Sequence, residues 1–259
     1  MHGRGGGGQN WLADAGSGCA FLLRRFQRRM DKALAPAALV GGEGNVKFGQ
    51  LLQVHHAVKK VSLGCDVEDK DLRFGEDKCA VTGTPMVEPS VRTTFTVEKY
   101  SGRGSAPGGD DLLRFGEMIK LKCNPMVTDE QKALYLYSKP VSTTYFAKIS
   151  RQQEVGVTSK DNFDVVWKVL PVEPTDHLVR DGEPVPVGDA VVLQHAATKQ
   201  NLRLTDCHYH NDFGSEFEVS GHTEYSTGKA AVMENMSKGR VKYDLDKPVM
   251  SSNVWTIAC

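Results

Sequence analysis

The residue types that could do chemistry in this chain are its histidines, cysteines and carboxylates, and they are densest in DCHYHND, residues 206–212. Cys207, His208 and His210 supply a thiol and two imidazoles, the donors that zinc prefers. A structural zinc site needs four such ligands, usually in CxxC or HxxxH spacing, and no second thiol pair stands nearby. Strand alternation would also put His208 and His210 on one face and Cys207 on the other. The stretch therefore reads as a polar surface excursion.

His55 and His56 in VHHAV, and His195 in LQHAAT, sit at matching places in two parts of the chain. Acyl transfer would need a nucleophile on an elbow such as GxSxG, which the chain lacks. GRGSAPGG, residues 102–109, contains GxG but not the Lys-Ser/Thr of a phosphate loop. The carboxylate pairs Asp110/Asp111 and Glu216/Glu218 follow no acid–base template and are expected to be solvated. The expectation is a chain that is not an enzyme, with no catalytic residue, no bound metal and no cofactor.

The elements that must position these residues show as a repeat. VKFGQLLQV (46–54), LRFGEMIKLKC (113–123) and VPVGDAVVL (185–193) share a Gly followed by a polar acceptor and an apolar run. The glycines are Gly49, Gly116 and Gly188, and the acceptors are Gln50, Glu117 and Asp189. Their spacing of roughly 70 residues is the scale of a structural repeat. Each unit closes on an aromatic inside an alternating run: Phe95 in TTFTVEKY, Trp167 in DVVWKVLP and Trp255 in SNVWTIAC. That is strand composition with period two. Apolar pairs (Val61 and Leu63, Leu134 and Leu136, Leu202 and Leu204) follow each Gly at similar distances.

Glycine lets the chain turn without a Cβ in the way, and the next polar residue can bond turn amides. Short strands in three copies cannot each bury a core, but stacked about one axis they can, and closure removes exposed edges. The expected fold is all-β, a β-trefoil over 45–259 with leaves at about 45–100, 112–171 and 184–259. A second LRFGE at 72–76 permits a frame on Gly75. Gly49 is the better choice, because Gly83 and Pro85 soon interrupt the other. Loops are expected at 101–111 and 172–184, and the longer third unit is expected to hold its extra residues between Asp206 and Asp246.

Residues 1–44 differ, and read as a short helical or irregular N-terminal arm. A Gly-rich start precedes CAFLLRRFQRRMDKALAPAAL, in which Leu22, Phe26, Met30 and Ala33 keep helical spacing. Arg24, Arg25, Arg28, Arg29 and Lys32 fill much of the other side. Residues 1–44 carry six Lys/Arg and three Asp/Glu, while the whole chain has a formal net charge of 0. A flexible arm with a basic amphipathic helix at 21–34 is expected, with Trp11 and the basic residues as candidate partner contacts.

Apolar content of 40% and charged content of 25% fit a folded soluble protein. Neutral overall charge gives no sign of a nucleic-acid partner. No run reaches the roughly 18 apolar residues of a membrane span, and no membrane partner is expected. Cys19–Leu23 is too short for a secretory signal, although the Arg-rich, acid-poor start shares composition with transit peptides. Six cysteines without a CxxC pair read as reduced thiols.

The repeated apolar-x-(Phe/Tyr)-Gly-(Asp/Glu/Gln)-x-apolar opening resembles MIR-type β-trefoils. DGEPVPVGDAVVLQHAATKQNLRL, DFGSEFEVSGHTEYS, NVWTIA, TTFTVEKY, LLRFGEMIKLKC and QNWLAD together resemble the cilia- and flagella-associated protein 161 family, in order from about Asn10 to Ala258. The FG-x-E-x-EV-x-x-HT segment from Phe213 is the most specific. The resemblance implies a structural microtubule inner protein in the A-tubule lumen of ciliary doublets, near the seam. It implies tubulin and other inner proteins as partners, and the cytoplasmic cytoskeleton of the axoneme as location. The Gly-rich start and the SAPGGDD loop depart from the family pattern. MIR-type trefoils also serve as ligand- or carbohydrate-binding modules. That alternative predicts exposed aromatics beside carboxylates in matching loops of each leaf.

Overall fold

The computed structural model describes residues 10–70, 78–101, 110–128, 130–224 and 249–259, with side chains from residue 19 onward. The first leaf holds strands β1 (Leu51–His56), β2 (Ser62–Lys70), β3 (Lys78–Thr84) and β4 (Thr94–Lys99). The second holds β5 (Met118–Cys123), β6 (Tyr135–Ser138), β7 (Gln153–Thr158) and β8 (Trp167–Pro171). The third holds β9 (Ala190–His195), β10 (Leu202–Asn211), β11 (Gly214–Gly221) and β12 (Trp255–Ala258).

The first and last strands of each leaf close a barrel. Antiparallel pairing runs from β1 to β4, β5, β8, β9 and β12, and back to β1. The two middle strands of each leaf form a hairpin: β2–β3, β6–β7 and β10–β11. The second strands of the hairpins pair with one another in a triangle, β3–β7, β7–β11 and β11–β3, which caps the barrel. Closed barrel plus triangular cap is the β-trefoil expected from the repeats.

Three hydrogen bonds mark the axis at the open end. Val46 N donates to Val185 O, Val185 N to Leu113 O, and Leu113 N to Val46 O, at 2.9, 2.8 and 2.8 Å. The repeat glycines have the left-handed backbone that this turn requires, with φ of 76°, 84° and 81° at Gly49, Gly116 and Gly188. Each donates its N–H to the last strand of its leaf: Val97 O, Val169 O and Ile257 O. The following acceptor closes the turn in two leaves. Gln50 Oε1 takes Lys47 N–H and Glu117 Oε2 takes Arg114 N–H. In the third leaf the corresponding donor is Pro186, which has no N–H. Asp189 instead accepts from Ala190 N and pairs with Arg180.

Alternation puts every second residue of the barrel strands inside. Leu52, Ile119 and Val191 form one buried layer, and Val54, Leu121 and Leu193 the next. Phe95, Trp167 and Trp255 are fully buried where barrel meets cap. Each tryptophan donates its indole N–H to the backbone of its own leaf's hairpin, Trp167 to Leu136 O at 2.9 Å and Trp255 to Leu202 O at 3.0 Å. Burying a side chain of this class contributes about 1.5–3 kcal/mol.

Helix α1 (Asn10–Ala33) precedes the trefoil and starts further toward the N-terminus than the 21–34 expected from spacing. Its exit is fixed by Ala35 O accepting from Val91 N and Ala37 N donating to Pro89 O. A short helix, α2 (Asp176–Val179), lies in the loop between β8 and β9. The LRFGE at 72–76, most of the 101–111 loop and residues 225–248 of the long third unit fall outside the described residues.

Candidate partner-binding surface

The chemistry-bearing residues singled out in the sequence resolve into structural roles. His56 and His195 occupy the same barrel position, which Cys123 fills in the second leaf. Each is the cross-strand partner of a closing aromatic: His56 of Trp255, Cys123 of Phe95 and His195 of Trp167. The imidazoles pack on the indoles with ring centroids 5.3 and 5.1 Å apart. His195 Nε2 faces Asp164 O at 2.9 Å, and a carbonyl can only accept, so the proton sits on Nε2 and Nδ1 accepts from Thr198 Oγ1. Burial lowers the pKa of His55, His56 and His195 below the usual imidazole value.

DCHYHND forms the end of β10 and the turn into β11. Asp206 pairs with Lys59, and Asp212 with Arg29 of α1. His208 Nδ1 lies 3.1 Å from Ser215 Oγ. Among the described residues no three His, Cys, Asp or Glu are grouped to hold a metal.

Glu216 and Glu218 correct one expectation, because neither is solvated. Alternation puts both on the face of β11 opposite the core residues Phe217 and Val219, where Arg92, Phe213 and the 149–150 loop cover them. Glu216 is 1% exposed and takes a two-pronged bond from Arg92 at 2.8 and 3.1 Å. Thr82 Oγ1 and Asn211 Nδ2 also donate to it. Burial alone would raise its pKa, but the Arg92 bonds and charge, with Thr82 and Asn211, offset that and hold it below the usual value. Glu218 accepts from the backbone N–H of Ile149 and Ser150 at 2.7 and 2.9 Å. Phe213 lies over the Arg92 guanidinium at 3.6 Å.

The stretch from Asp212 to Glu218 is therefore a clamp. Asp212 reaches the arm, Phe213 and Glu216 hold Arg92 beneath it, and Glu218 pins the 149–150 loop. Sequence reasoning missed Arg92, whose partner lies 124 residues away. No local signal marks such a pair.

An open cleft at the cap, about 520 Å³ counting solvent at its mouth, is lined by Lys78, Tyr137, Lys148, Glu154 and Tyr209. Its charges answer one another: Lys78 Nζ lies 2.8 Å from Glu154, and Lys148 donates to Tyr209 at 2.6 Å.

The arm supplies a different kind of surface. Arg24, Arg25 and Arg28 are exposed, while Arg29 and Lys32 are half-buried against the trefoil. Leu22, Leu23 and Phe26 expose 64%, 55% and 41% of their surface. Trp11 lies in α1, and its side chain is outside the described part. The candidate contact residues thus share one helix. Gly49, Gly116, Gly188, Phe95, Trp167 and Trp255 build the fold beneath it.

A family model for the cilia- and flagella-associated protein 161-like domain matches residues 28–238. A curated relative, cilia- and flagella-associated protein 161 of Danio rerio, is 34% identical over 151 residues, 58% of this chain and 48% of that protein. The matched region spans about half the length of that relative. Among solved structures, an SDF2-like protein of Arabidopsis thaliana has a TM-score of 0.54 at 20% identity, covering 83% of this chain and 95% of that one. A protein O-mannosyltransferase Pmt1–Pmt2 complex of S. cerevisiae bound to its sugar donor has a TM-score of 0.57 at 14% identity, covering 88% of this chain and 28% of that one. At these identities the structural likeness concerns the fold.

Proposed function

The chain belongs to the cilia- and flagella-associated protein 161-like family, and from that membership we propose that it is a structural microtubule inner protein of ciliary and flagellar doublets. As a member it is a cilia- and flagella-associated protein. The proposal adds the place and the role: the A-tubule lumen near the seam, bound to tubulin and neighbouring inner proteins of the axoneme, without catalysis.

The observation that carries this reading is the joint presence of the family match and a polar inventory spent on the fold. His195, Glu216, Glu218 and Arg92 are each bonded within the trefoil, and His56 Nδ1 accepts from Lys59 N although its Nε2 has no partner among the described residues. What remains is a rigid closed barrel with a basic helix attached, which suits a lattice scaffold. Two contact surfaces on one chain raise the effective concentration of the second contact, and avidity can exceed either affinity by roughly 10²–10⁴.

The rival reading, a ligand- or carbohydrate-binding module, expects exposed aromatics repeated in each leaf. The repeated aromatics Phe95, Trp167 and Trp255 are instead fully buried.

Extraction of purified axonemes with rising salt and detergent tests the proposal, with this protein followed by mass spectrometry. Retention with doublets after the dyneins have left is the expected result. Recovery in the membrane-and-matrix fraction would sink it.

A further inference from the structure

An amphipathic helix normally spends its apolar face on its own domain, yet among its described side chains, from residue 19 onward, α1 does so only toward its C-terminal end. At 100° per residue, Leu22, Leu23, Phe26, Met30 and Ala33 share one face of the helix. Met30 and Ala33 are half-buried, and the helix end packs on the 3-10 turns at Val91–Thr93 and Pro125–Val127. The same stripe continues outward, uncovered, through Phe26, Leu23 and Leu22. From Ala33 to Leu22 is about 16 Å at 1.5 Å per residue, so the bare stripe reaches well past its contact with the trefoil.

Arg25 borders the stripe beside Leu22, whereas Arg24 and Arg28, one turn apart, lie with the exposed Phe21 on the far face. None of the three has an acidic partner among the described residues. The base of the helix, in contrast, is held by the Arg29–Asp212 ion pair.

We propose that residues 19–28 of α1 dock into an apolar groove with an acidic rim on a second protein that sits beside the β10–β11 hairpin. The stripe supplies the apolar contacts, and Arg25 meets the rim. This is the helix-in-groove mode of recognition. Basic amphipathic helices also lie on anionic membranes, but the geometry opposes that here. The exposed stripe faces the side on which the trefoil lies, so a flat bilayer against Leu22 and Phe26 would run into the barrel. A protein shaped to fill the corner between helix and trefoil meets no such obstacle. The inference rests on the doublet reading for where that partner is found.

Hydrogen exchange of the full-length chain tests the proposal, with salt-washed, open-ended doublet fragments as the probe and phosphatidylcholine–phosphatidylserine vesicles alongside. Slower exchange at 19–28 with doublets is expected. Leu22→Asp/Phe26→Asp should weaken binding about tenfold or more while leaving the exchange of the barrel strands unchanged. Arg25→Ala should flatten the salt dependence of binding more than Arg28→Ala does. Binding without protection of 19–28 overturns the docking helix and leaves the doublet reading standing. Failure of the wild-type chain to bind doublets overturns both. Protection by vesicles alone, or protection of the chain by itself that grows with its own concentration, overturns the proposal in favour of a membrane or a second copy.

Discussion

Arg92 and Glu216 are 1% exposed on each side of their pair, which makes them the most consequential charges in the cap. Removing one partner of a buried pair leaves the other unpaired at low dielectric and costs about 3–5 kcal/mol. Glu216→Gln and Arg92→Met are each expected to lower stability to urea by that order. The joint Arg92→Met/Glu216→Leu variant should lose less than the sum of the singles; strict additivity would refute the pairing. The repeat glycines predict a graded series. Alanine in left-handed backbone costs about 1–2 kcal/mol, and a Cβ at Gly49 or Gly188 would meet open space. At Gly116 it would lie 1.9 Å from Asp181 Oδ1, so that side chain must also turn away. Gly116→Ala is therefore expected to melt below Gly49→Ala and Gly188→Ala.

At the level of elements, α1 and the β10–β11 hairpin share one contact. The Arg29–Asp212 pair is partly exposed, at 25% and 49%, and exposed pairs contribute only about 0.2–1 kcal/mol. Arg29→Ala should leave the melting temperature of the trefoil almost unmoved while amides in the last turn of α1 exchange faster. An equal loss across the barrel strands would mean that the helix is integral to the core. The 3-10 turns at Val91–Thr93, Phe163–Val165 and Ser251–Asn253 lead into the three aromatic-bearing strands, so the threefold order extends beyond the residues that announced it.

For the whole molecule, buried imidazoles make stability depend on pH. An unfolded imidazole titrates near 6.5, and burial lowers the folded value at His55, His56 and His195. Below pH 6.5 the unfolded chain therefore takes up protons that the folded chain refuses, and stability falls as the medium is acidified. Above that pH both states are neutral and the term vanishes. The second leaf carries Cys123 at the equivalent position, so His56→Cys/His195→Cys borrows the chain's own alternative. Denaturant midpoints measured from neutral pH to roughly pH 5 should fall less steeply in that variant; an unchanged slope would place the pH sensitivity elsewhere.

Periodicity was legible because it is local and repeated. A Gly, an acceptor and an alternating run recur wherever a leaf begins, and an aromatic recurs where it ends. Closure of short strands leaves few architectures for such a pattern, so the all-β trefoil and the buried places of Phe95, Trp167 and Trp255 followed from the chain itself. The stripe of α1 was legible too, since helical spacing is a property of neighbours. The choice between solvated and buried carboxylates at Glu216 and Glu218 was not. That depends on what covers the face of β11 opposite the core, and on Arg92, brought across the triangle from another leaf. Nor could spacing show that the stripe is covered at Met30 and bare at Leu22. Contacts such as Arg29 with Asp212, 183 residues apart, exist only once the barrel has closed. A sequence carries the pattern of burial, whereas the partner of each buried charge is decided by which distant strands the closure sets side by side.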